Sequence, residues 1–452
     1  MSETNDICFD SSLPLLVGAV KQHLGPIDLE NGMVVRDTSG RLRFIVRKDA
    51  PSDEERDRLN QLLAAPLGPY ARQDGVIAYQ NDSGAQQLLS DLEAFVIHQD
   101  AIQFSLLDRR IVGSSWLNTP VENAAGPVRI VFASVKGGVG RSTALAVAAA
   151  DLARRNKNIL VVDLDLEAPG IGDMLLDQDR LPSFGVLDYL VENGLVAVAE
   201  GSLADYIGTS SLTTPSGGRV DVLPAFGKQS DQHPENTLPK LARALIEDIS
   251  PDGMPVPLSR KMASMIDRFA RLQDYDAILI DSRAGLSEIA APAVLGLGAT
   301  VLLFGTAQRQ TIHGYAPLLA GLKMLVERDY QNSRPAEWRS KLKAVLAKAG
   351  DVEGKGARYK DDLFDLFAEN LYDQETTDNA SEIFSYSIDD DGAPHWPLVI
   401  RFDPSFVDFD PMQAPSQLGQ SFYESAFRPF LNGIDKILAS ANQIVGRAGE
   451  EQ

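Results

Sequence analysis

The most restrictive feature of the sequence is an apolar segment that runs into a glycine-rich loop and then into an alanine-rich segment. Residues 129–134 read RIVFAS, residues 136–143 read KGGVGRST, and residues 144–153 read ALAVAAADLA. The first segment is typical of a buried strand and the last of a helix. A glycine turn before a helix offers converging backbone N–H groups and the positive end of the helix dipole. The order of strand, loop and helix therefore predicts a phosphate-binding loop.

Apolar strand candidates alternate with helical segments over the rest of this region. After RIVFAS they are NILVVD, RVDVLP, AILID, TVLLF, KAVLA and PLVIRF. Near-continuous apolar runs of this kind are typical of strands that are buried on both faces. The alternation predicts an α/β fold, in which helices cover both sides of a mostly parallel sheet.

The residues before this region predict a smaller α+β module. The stretch MVVRDTSGRLRFIVRK places a turn at Ser39 and Gly40 between two strand candidates, which predicts a hairpin. Ser52 and Glu55 have the spacing of a capping box and predict the start of a helix. The runs EAFVIHQ and AIQFSLL are further strand candidates. The turn-rich stretch at 118–127 then divides an N-terminal module of unassigned role, residues 1–120, from a domain over 121–452.

Composition restricts the classes of partner. The chain of 452 residues has 42 Lys and Arg against 63 Asp and Glu, a formal net charge of -21. Such a charge repels polyanions and argues against nucleic-acid binding. Cys8 is the one cysteine, which excludes intrachain disulfides and indicates a reducing, cytoplasmic location. The acidic start of the chain and the lack of a long apolar run predict neither a signal peptide nor a membrane span.

Three separated motifs resemble those of one known family. The run KGGVGRST resembles the deviant Walker A motif of the ParA/MinD family of P-loop ATPases, in which a lysine, here Lys136, precedes the glycines. The run VVDLDLEAPG resembles the switch I segment of that family, and YDAILIDSRAGLSE resembles its Walker B and switch II segments. The resemblance extends from Val128 to the carboxyl terminus, and it implies ATP and Mg²⁺ as ligands.

The resemblance also implies roles for individual residues. Lys136 would reach the phosphates held by a second copy of the chain, Asp165 would orient the attacking water, and Gly285 would lie near the γ-phosphate. Together with Arg141, Lys136 and Asp165 are the predicted catalytic residues. The metal set is Ser142, Asp163 and Asp281. The nucleotide-binding set is Lys136, Gly137, Gly138, Val139, Gly140, Arg141, Ser142 and Thr143.

The chemistry of phosphoryl transfer requires the same kinds of residue. Phosphoryl transfer depends on neutralising charge and aligning water, so cations, a metal and a carboxylate are the parts needed. Asp163, Asp165 and Asp281 follow the carboxyl ends of predicted parallel strands, where ligands bind in such sheets.

Arg141 departs from the family pattern because it occupies the position of the usual phosphate-loop lysine. Arginine keeps the charge but is bulkier and cannot act as a compact point charge. We therefore expect nucleotide binding to be retained and hydrolysis to be slow. A nucleotide-binding scaffold that does not hydrolyse ATP is the alternative.

The sequence gives weaker evidence about which nucleotide base is bound and about other binding sites. The run VLAKAGD lacks the asparagine with which related GTPases read guanine, which favours ATP, and residues 306–308 and 402–404 are the candidate adenine contacts. The histidines at 23, 98, 233, 313 and 395 show no metal-binding spacing.

The partners implied are a second copy of the chain, which would dimerise on nucleotide, and an unidentified protein under the control of this switch. A partitioning or positioning ATPase acting on DNA or a membrane is the alternative. The charge argues against DNA, and the balanced charges of the last helix argue against a membrane. Its apolar stripe is predicted to pack in the core. The basic runs RRNK and SRPAEWRSKLK are predicted to be solvated helix faces.

Overall fold

The chain forms two compact units. In the computed structural model the described residues are 7–99, 102–213, 217–250, 252–373 and 383–450, with side chains described up to residue 441. One unit consists of Met1–Leu117 and Met324–Pro335, and the other of Asn118–Lys323 and Ala336–Gln452. That residues 1–120 and 121–452 fold as separate domains remains a prediction.

The first unit combines helices with short strands. Its elements are α1 (Phe9–His23), α2 (Pro26–Asn31), β1 (Met33–Arg36), β2 (Leu42–Val46), α3 (Asp53–Ala64), β3 (Ile77–Tyr79), α4 (Ala85–Leu89), β4 (Phe95–Gln99) and β5 (Ile102–Asp108). The predicted hairpin is confirmed as β1 and β2, which pair antiparallel. The predicted helix start is also confirmed, since the Ser52 side chain accepts a hydrogen bond from the Glu55 N–H.

The sheet of the first unit has five strands in the order β3-β2-β1-β5-β4. Strands β1 and β5 run parallel, and β4 and β5 run antiparallel. Successive residues of a strand point to opposite faces, so the sheet buries two cores. Val34 packs in one core with Leu16 of α1, while Met33 packs in the other with Leu89 of α4. The unit is the small α+β module that the sequence predicts.

The second unit alternates strands with helices. Its elements are β6 (Val128–Ser134), α5 (Arg141–Arg154), β7 (Ile159–Asp163), α6 (Ile171–Leu175), α7 (Val186–Leu195), β8 (Gly208–Thr209), β9 (Val220–Leu223), α8 (Lys228–Gln232), α9 (Thr237–Ala244), β10 (Asp248–Ile249), β11 (Pro255–Val256), α10 (Leu258–Ala270), β12 (Ala277–Asp281), α11 (Ala290–Leu295), β13 (Thr300–Gly305), α12 (Arg309–Gln331), β14 (Leu342–Ala349), α13 (Ala357–Asn370), β15 (Leu398–Arg401) and α14 (Gln420–Glu450). Helix α12 begins in this unit, and its residues from Met324 onward belong to the first unit.

An eight-stranded sheet forms the centre of this unit. Its strand order is β15-β14-β13-β6-β12-β7-β9-β8. All neighbouring strands pair parallel except β8, which pairs antiparallel with β9 at the edge. The seven strands predicted from the sequence are confirmed as β6, β7, β9, β12, β13, β14 and β15. The short strands β8, β10 and β11 were not predicted, because two residues are too few to show a periodic pattern.

Helix α5 explains why the alanine-rich segment follows the glycine loop. All ten residues from Ala144 to Ala153 are buried. Small side chains let a helix lie close to its neighbours, and α5 packs against β6, β7 and β12 and also against α14. The first turn of α5 is therefore fixed at the carboxyl end of the central strands.

The apolar stripe of the last helix lies in the core, as predicted. Tyr423, Phe430 and Ile434 of α14 are fully buried. The ring of Phe430 lies 6.2 Å from that of Phe132 and 5.9 Å from that of Phe304, measured between centroids. In this way α14 covers the sheet face beside α5.

The two basic runs lie in different environments. In RRNK, Arg154 and Arg155 pair with Asp151, and Lys157 pairs with Asp276, at half-exposed positions. For the second run the prediction of a solvated helix face is wrong. Arg339 is buried and pairs with Asp373 at 2.7 Å, and Lys343 in β14 donates to three backbone carbonyls. Burial lowers the pKa of Lys343 to about 8.

In the part of the chain that the structure describes, no helix has both the length and the apolar character needed to cross a membrane. Residues 1–6, on which the absence of a signal peptide was predicted, lie outside the described residues.

We expect Leu431→Ala in α14 to lower the free energy of unfolding by about 2–5 kcal/mol, because it opens a cavity in the packed core. Leu431 is fully buried, whereas Leu238 on α9 is 76% exposed. Leu238→Ala is the matched control and should change stability by no more than about 0.5 kcal/mol. Urea denaturation followed by tryptophan fluorescence measures both. Equal effects of the two substitutions would contradict the burial of α14.

Candidate functional site

The glycine-rich loop joins the end of β6 to the start of α5. Gly138 has φ of +74° and Gly140 has φ of +92°, in the left-handed region that side chains other than glycine rarely adopt. Among the described residues no side chain caps the amino end of α5. Its first N–H groups therefore remain available to an anion, as the sequence predicts.

Two of the predicted carboxylates lie side by side at the carboxyl ends of neighbouring strands. Asp163 ends β7 and Asp281 ends β12, and the two residues are paired in register. Asp165 follows two residues later, and its N–H donates to an Asp163 carboxylate oxygen at 3.0 Å. All three carboxylates therefore lie at the carboxyl ends of parallel strands. Ligands bind at this end of such sheets.

Arg141 lies at the centre of this group. It is 8% exposed, and each of its three nitrogens donates to a different residue. Nε donates to Asp281 at 2.5 Å, Nη1 to the Ser134 hydroxyl at 3.1 Å, and Nη2 to Asp165 at 3.0 Å. The planar guanidinium suits this task because its donors point in fixed, divergent directions. The arginine thus ties the phosphate loop to the ends of β6 and β12 and to the segment that follows β7.

Ser142 lies beside Arg141 on the same carboxylate. Its hydroxyl donates to the second oxygen of Asp281 at 2.5 Å. The hydroxyl and the carboxylate are both hard oxygen donors of the kind that Mg²⁺ prefers. Two of the three residues predicted as metal ligands, Ser142 and Asp281, therefore lie in direct contact.

Burial disfavours the ionised form of the carboxyl groups Asp163 and Asp281. Asp163 is 1% exposed, and burial together with the neighbouring charge of Asp281 raises its pKa well above the usual value. Its oxygens accept from the N–H groups of Asp165 and Gly170, which shapes the loop after β7. Burial also raises the pKa of Asp281, against the opposing effects of Arg141 and Ser142.

The other predicted residues line the loop. Lys136 is exposed, and its Nζ donates to the Gln310 side chain at 2.6 Å. Gly137 and Gly138 are exposed, whereas Val139 is buried below them. Thr143 is half-buried in the first turn of α5.

Gly285 is anchored close to this loop. Its N–H donates to the Ser134 carbonyl at the end of β6, at 2.8 Å, and its φ is +94°. The segment after β12 is thus fixed against the strand that leads into the phosphate loop.

Two functional candidates escaped the sequence reasoning. Arg283 pairs with Asp165 at 3.2 Å and with Glu167 at 2.9 Å. Lys348, at the end of β14, donates to the Gly138 carbonyl at 2.7 Å and has φ of +54°. The signal for both lay in motifs already singled out, DSR and VLAKAGD, where cations stand directly after predicted strands.

The segments proposed for adenine follow the ends of two strands of the same sheet. Thr306 comes after β13, and its N–H donates to the Thr311 hydroxyl. Phe402 comes after β15, is 51% exposed, and donates its N–H to the Ala349 carbonyl. Both segments lie at the carboxyl side of the sheet, and their role in base binding stays a prediction.

A protein-only metal centre is not found in the described part of the chain, since no three His, Cys, Asp or Glu side chains there are arranged to hold an ion. Of the histidines, His395 is buried and bonds through Nδ1 to the Tyr372 hydroxyl at 2.6 Å. A metal at Ser142 and Asp281 would therefore need further oxygen ligands from a phosphate group or water.

The sequence model of the family described as the CobQ/CobB/MinD/ParA nucleotide binding domain matches residues 130–448, more than half of the chain. No curated protein matches the chain significantly.

Several solved structures are similar at low identity. The cell division ATPase MinD of Pyrococcus furiosus is 20% identical with a TM-score of 0.40, over 69% of this chain and 99% of that one. The pNOB8 ParA bound to nonspecific DNA is 17% identical with a TM-score of 0.41, over 72% and 100%. Cobyrinic acid a,c-diamide synthase of Mycobacterium smegmatis, with bound ATP analogue and magnesium, is 20% identical with a TM-score of 0.34, over 55% and 84%.

We expect Arg141→Met to destabilise the protein by about 3–5 kcal/mol at pH 8, because it leaves buried carboxylates without their cation. The loss should be smaller at pH 5. The pKa of Asp281 is already raised with Arg141 present, and it should rise further without the arginine. A carboxyl with a raised pKa in the folded state stabilises the fold at low pH, and that stabilisation is lost as pH rises.

Urea denaturation at the two pH values measures this difference. Arg428→Met is the control, because Arg428 pairs with Glu424 at a half-exposed position of α14. It should cost about 1 kcal/mol or less at either pH. An equal penalty for Arg141→Met at pH 5 and pH 8 would show that Arg141 does not compensate these carboxylates.

Proposed function

We propose, from the premise that this chain belongs to the CobQ/CobB/MinD/ParA nucleotide-binding domain family, that it is a Mg²⁺-dependent ATPase that acts as a molecular switch. One observation carries the proposal. A cationic residue at the start of α5, Arg141, lies within hydrogen-bond distance of the carboxylates that end β12 and follow β7. These contacts support a site in which the glycine-rich loop would hold phosphate, Ser142 and Asp281 would hold the metal, and Asp165 would orient water.

The phosphates would be held mainly by backbone groups and two cations. The proposed set is Lys136, Gly137, Gly138, Val139, Gly140, Arg141, Ser142 and Thr143. The uncapped amino end of α5 supports this assignment. So does the open space at Gly137 and Gly138, where an added Cβ would meet no atom within 4 Å.

The donor set at Ser142 and Asp281 fits a magnesium ion, with Asp163 as the supporting carboxylate. When bound, such an ion supplies positive charge that stabilises the transferred phosphoryl group. Ser142 would turn its lone pairs to the ion in place of donating to Asp281. Asp163 would keep the loop after β7 in place through its bonds to Asp165 and Gly170.

Hydrolysis should be slow because the catalytic side chains already bond to each other. Both oxygens of Asp165 accept hydrogen bonds from arginines, one from Arg141 and one from Arg283. A water must compete with these donors for the Asp165 oxygens. The same observation favours a second candidate function, a nucleotide-binding scaffold without turnover.

The partner assignments rest on the surface position of Lys136. Its exposed ammonium group, held by Gln310, could reach a nucleotide bound to a second copy of the chain. We propose a homodimer that forms on ATP binding and regulates an unidentified protein in the cytoplasm. The net charge of -21 argues against DNA as the ligand of this switch.

Purified protein should release phosphate from ATP only when Mg²⁺ is present. Asp165→Ala should lower the rate at least about 100-fold, because the water loses its orienting carboxylate. Nucleotide binding should persist in this variant, as measured with a fluorescent ATP analogue. Asp177→Ala is the matched control, since Asp177 is an exposed aspartate that pairs with Arg180. Wild-type protein that binds ATP but releases no phosphate would favour the scaffold instead.

The protein should be a dimer in solution with a nonhydrolysable ATP analogue and a monomer with ADP. Lys136→Ala should remain monomeric with the analogue, because it loses the cation that reaches the second nucleotide. Lys157→Ala replaces an exposed lysine that pairs with Asp276, and it should dimerise normally. Chromatography with light scattering measures the mass. A constant mass in all nucleotide states would rule out the nucleotide-driven dimer.

A further inference from the structure

We propose that Arg283 is a positioning residue that holds Asp165 in place and couples the segment after β12 to the segment after β7. The inference rests on the proposed function, in which Asp165 orients the attacking water. Arg283 belongs to the DSR run, and neither the matched family nor the predicted site assigns it a role. Its contacts identify what it does.

Three donors surround the Asp165 carboxylate. Oδ2 accepts from Arg141 Nη2 at 3.0 Å. Oδ1 accepts from Arg283 Nη1 at 3.2 Å and from the Ala168 N–H at 3.2 Å. The carboxylate is 7% exposed, so its orientation is set by these three donors and not by solvent.

Arg283 is itself held at both ends. On its backbone side, the N–H of Ser282 donates to the Phe132 carbonyl and that of Gly285 to the Ser134 carbonyl, so the main chain is fixed against β6. At its tip, Nη2 pairs with Glu167 at 2.9 Å. The guanidinium therefore bridges two residues of the other segment from a rigid base.

The charges of the group require this second arginine. Three carboxylates, those of Asp165, Glu167 and Asp281, pair with two guanidiniums. The neighbouring Asp163 accepts from the N–H groups of Asp165 and Gly170. A buried carboxylate without a partner is strongly destabilising, and an arginine can serve two carboxylates with separate nitrogens.

Arg283 and Arg141 differ in what they can do when phosphates are present. Arg141 belongs to the phosphate loop, so engaging a phosphate would take its Nη2 away from Asp165. Arg283 lies on the opposite side of the carboxylate, on Oδ1. Asp165 would then keep Arg283 and the Ala168 N–H as donors, while Oδ2 becomes free to accept from water. Arg141 would thus neutralise charge at the phosphates, and Arg283 would orient the Asp165 carboxylate.

The first test needs no nucleotide. Hydrogen exchange of the nucleotide-free protein should show loss of protection in the peptide covering 164–170 when Arg283 is replaced by Gln. Arg428→Gln, which removes an arginine of similar exposure from α14, should leave that peptide unchanged. Unchanged protection in R283Q would overturn the inference.

The second test separates positioning from binding. In steady-state ATP hydrolysis, R283Q should lower kcat about 10- to 100-fold, the loss expected from a misplaced catalytic group, with KM within about threefold of wild type. Arg283→Lys should recover part of kcat, because its ammonium can reach Asp165 but not Glu167 as well. Glu167→Gln should change kcat by less than about threefold, since this outer pair is half-exposed.

The outcomes distinguish the two proposals. A wild-type protein without any hydrolysis would overturn the proposed ATPase, and the exchange experiment would still decide whether Arg283 holds Asp165. Hydrolysis in R283Q at the wild-type kcat would overturn the positioning role alone. A raised KM with unchanged kcat would also contradict it, because that result assigns Arg283 to nucleotide binding.

Discussion

The site depends on one interaction, the bonding of the Arg141 guanidinium to Asp281, Ser134 and Asp165. A glycine-rich loop has little internal stability, and it acquires a defined position only through what its neighbours hold. Here a residue at the loop's own end reaches under it and binds the ends of two central strands. The glycine-rich loop, the bonded Ser142 and Asp281 side chains, and the Asp165 carboxylate are linked to each other through this one side chain.

The arginine changes how the site balances its charges. A lysine offers a single compact ammonium group, whereas the guanidinium spreads its charge over a plane and serves three acceptors at once. Its buried bonds to carboxylates supply the positive charge that the site needs when no phosphate is bound. The cost is that a triphosphate must compete with Asp165 and Asp281 for the same donors. In the proposed ATPase, this competition would slow turnover, and Arg283 would keep Asp165 in place.

The sequence predicted the parts of the structure that depend on backbone geometry. The strand-loop-helix order, the seven main strands and the placement of Asp163 and Asp281 at carboxyl ends of strands follow from periodicity and from the parallel sheet. That β7 and β12 are neighbours was not predicted. Side-chain pairings were not predicted. The direction of Arg141, the bridge from Arg283 to Glu167 and the contact from Lys348 to Gly138 join residues far apart in the chain. Arg339 was wrongly expected on a solvated face, because local charge patterns do not reveal a buried partner such as Asp373.

The central claim is that this arginine-bound loop is a phosphate site. A calorimetric titration of the purified chain with ATP, in the presence and absence of Mg²⁺, tests it most directly. We expect saturable binding of one nucleotide per chain, and we expect that binding to weaken when Mg²⁺ is removed. Absence of any binding with Mg²⁺ present would contradict it.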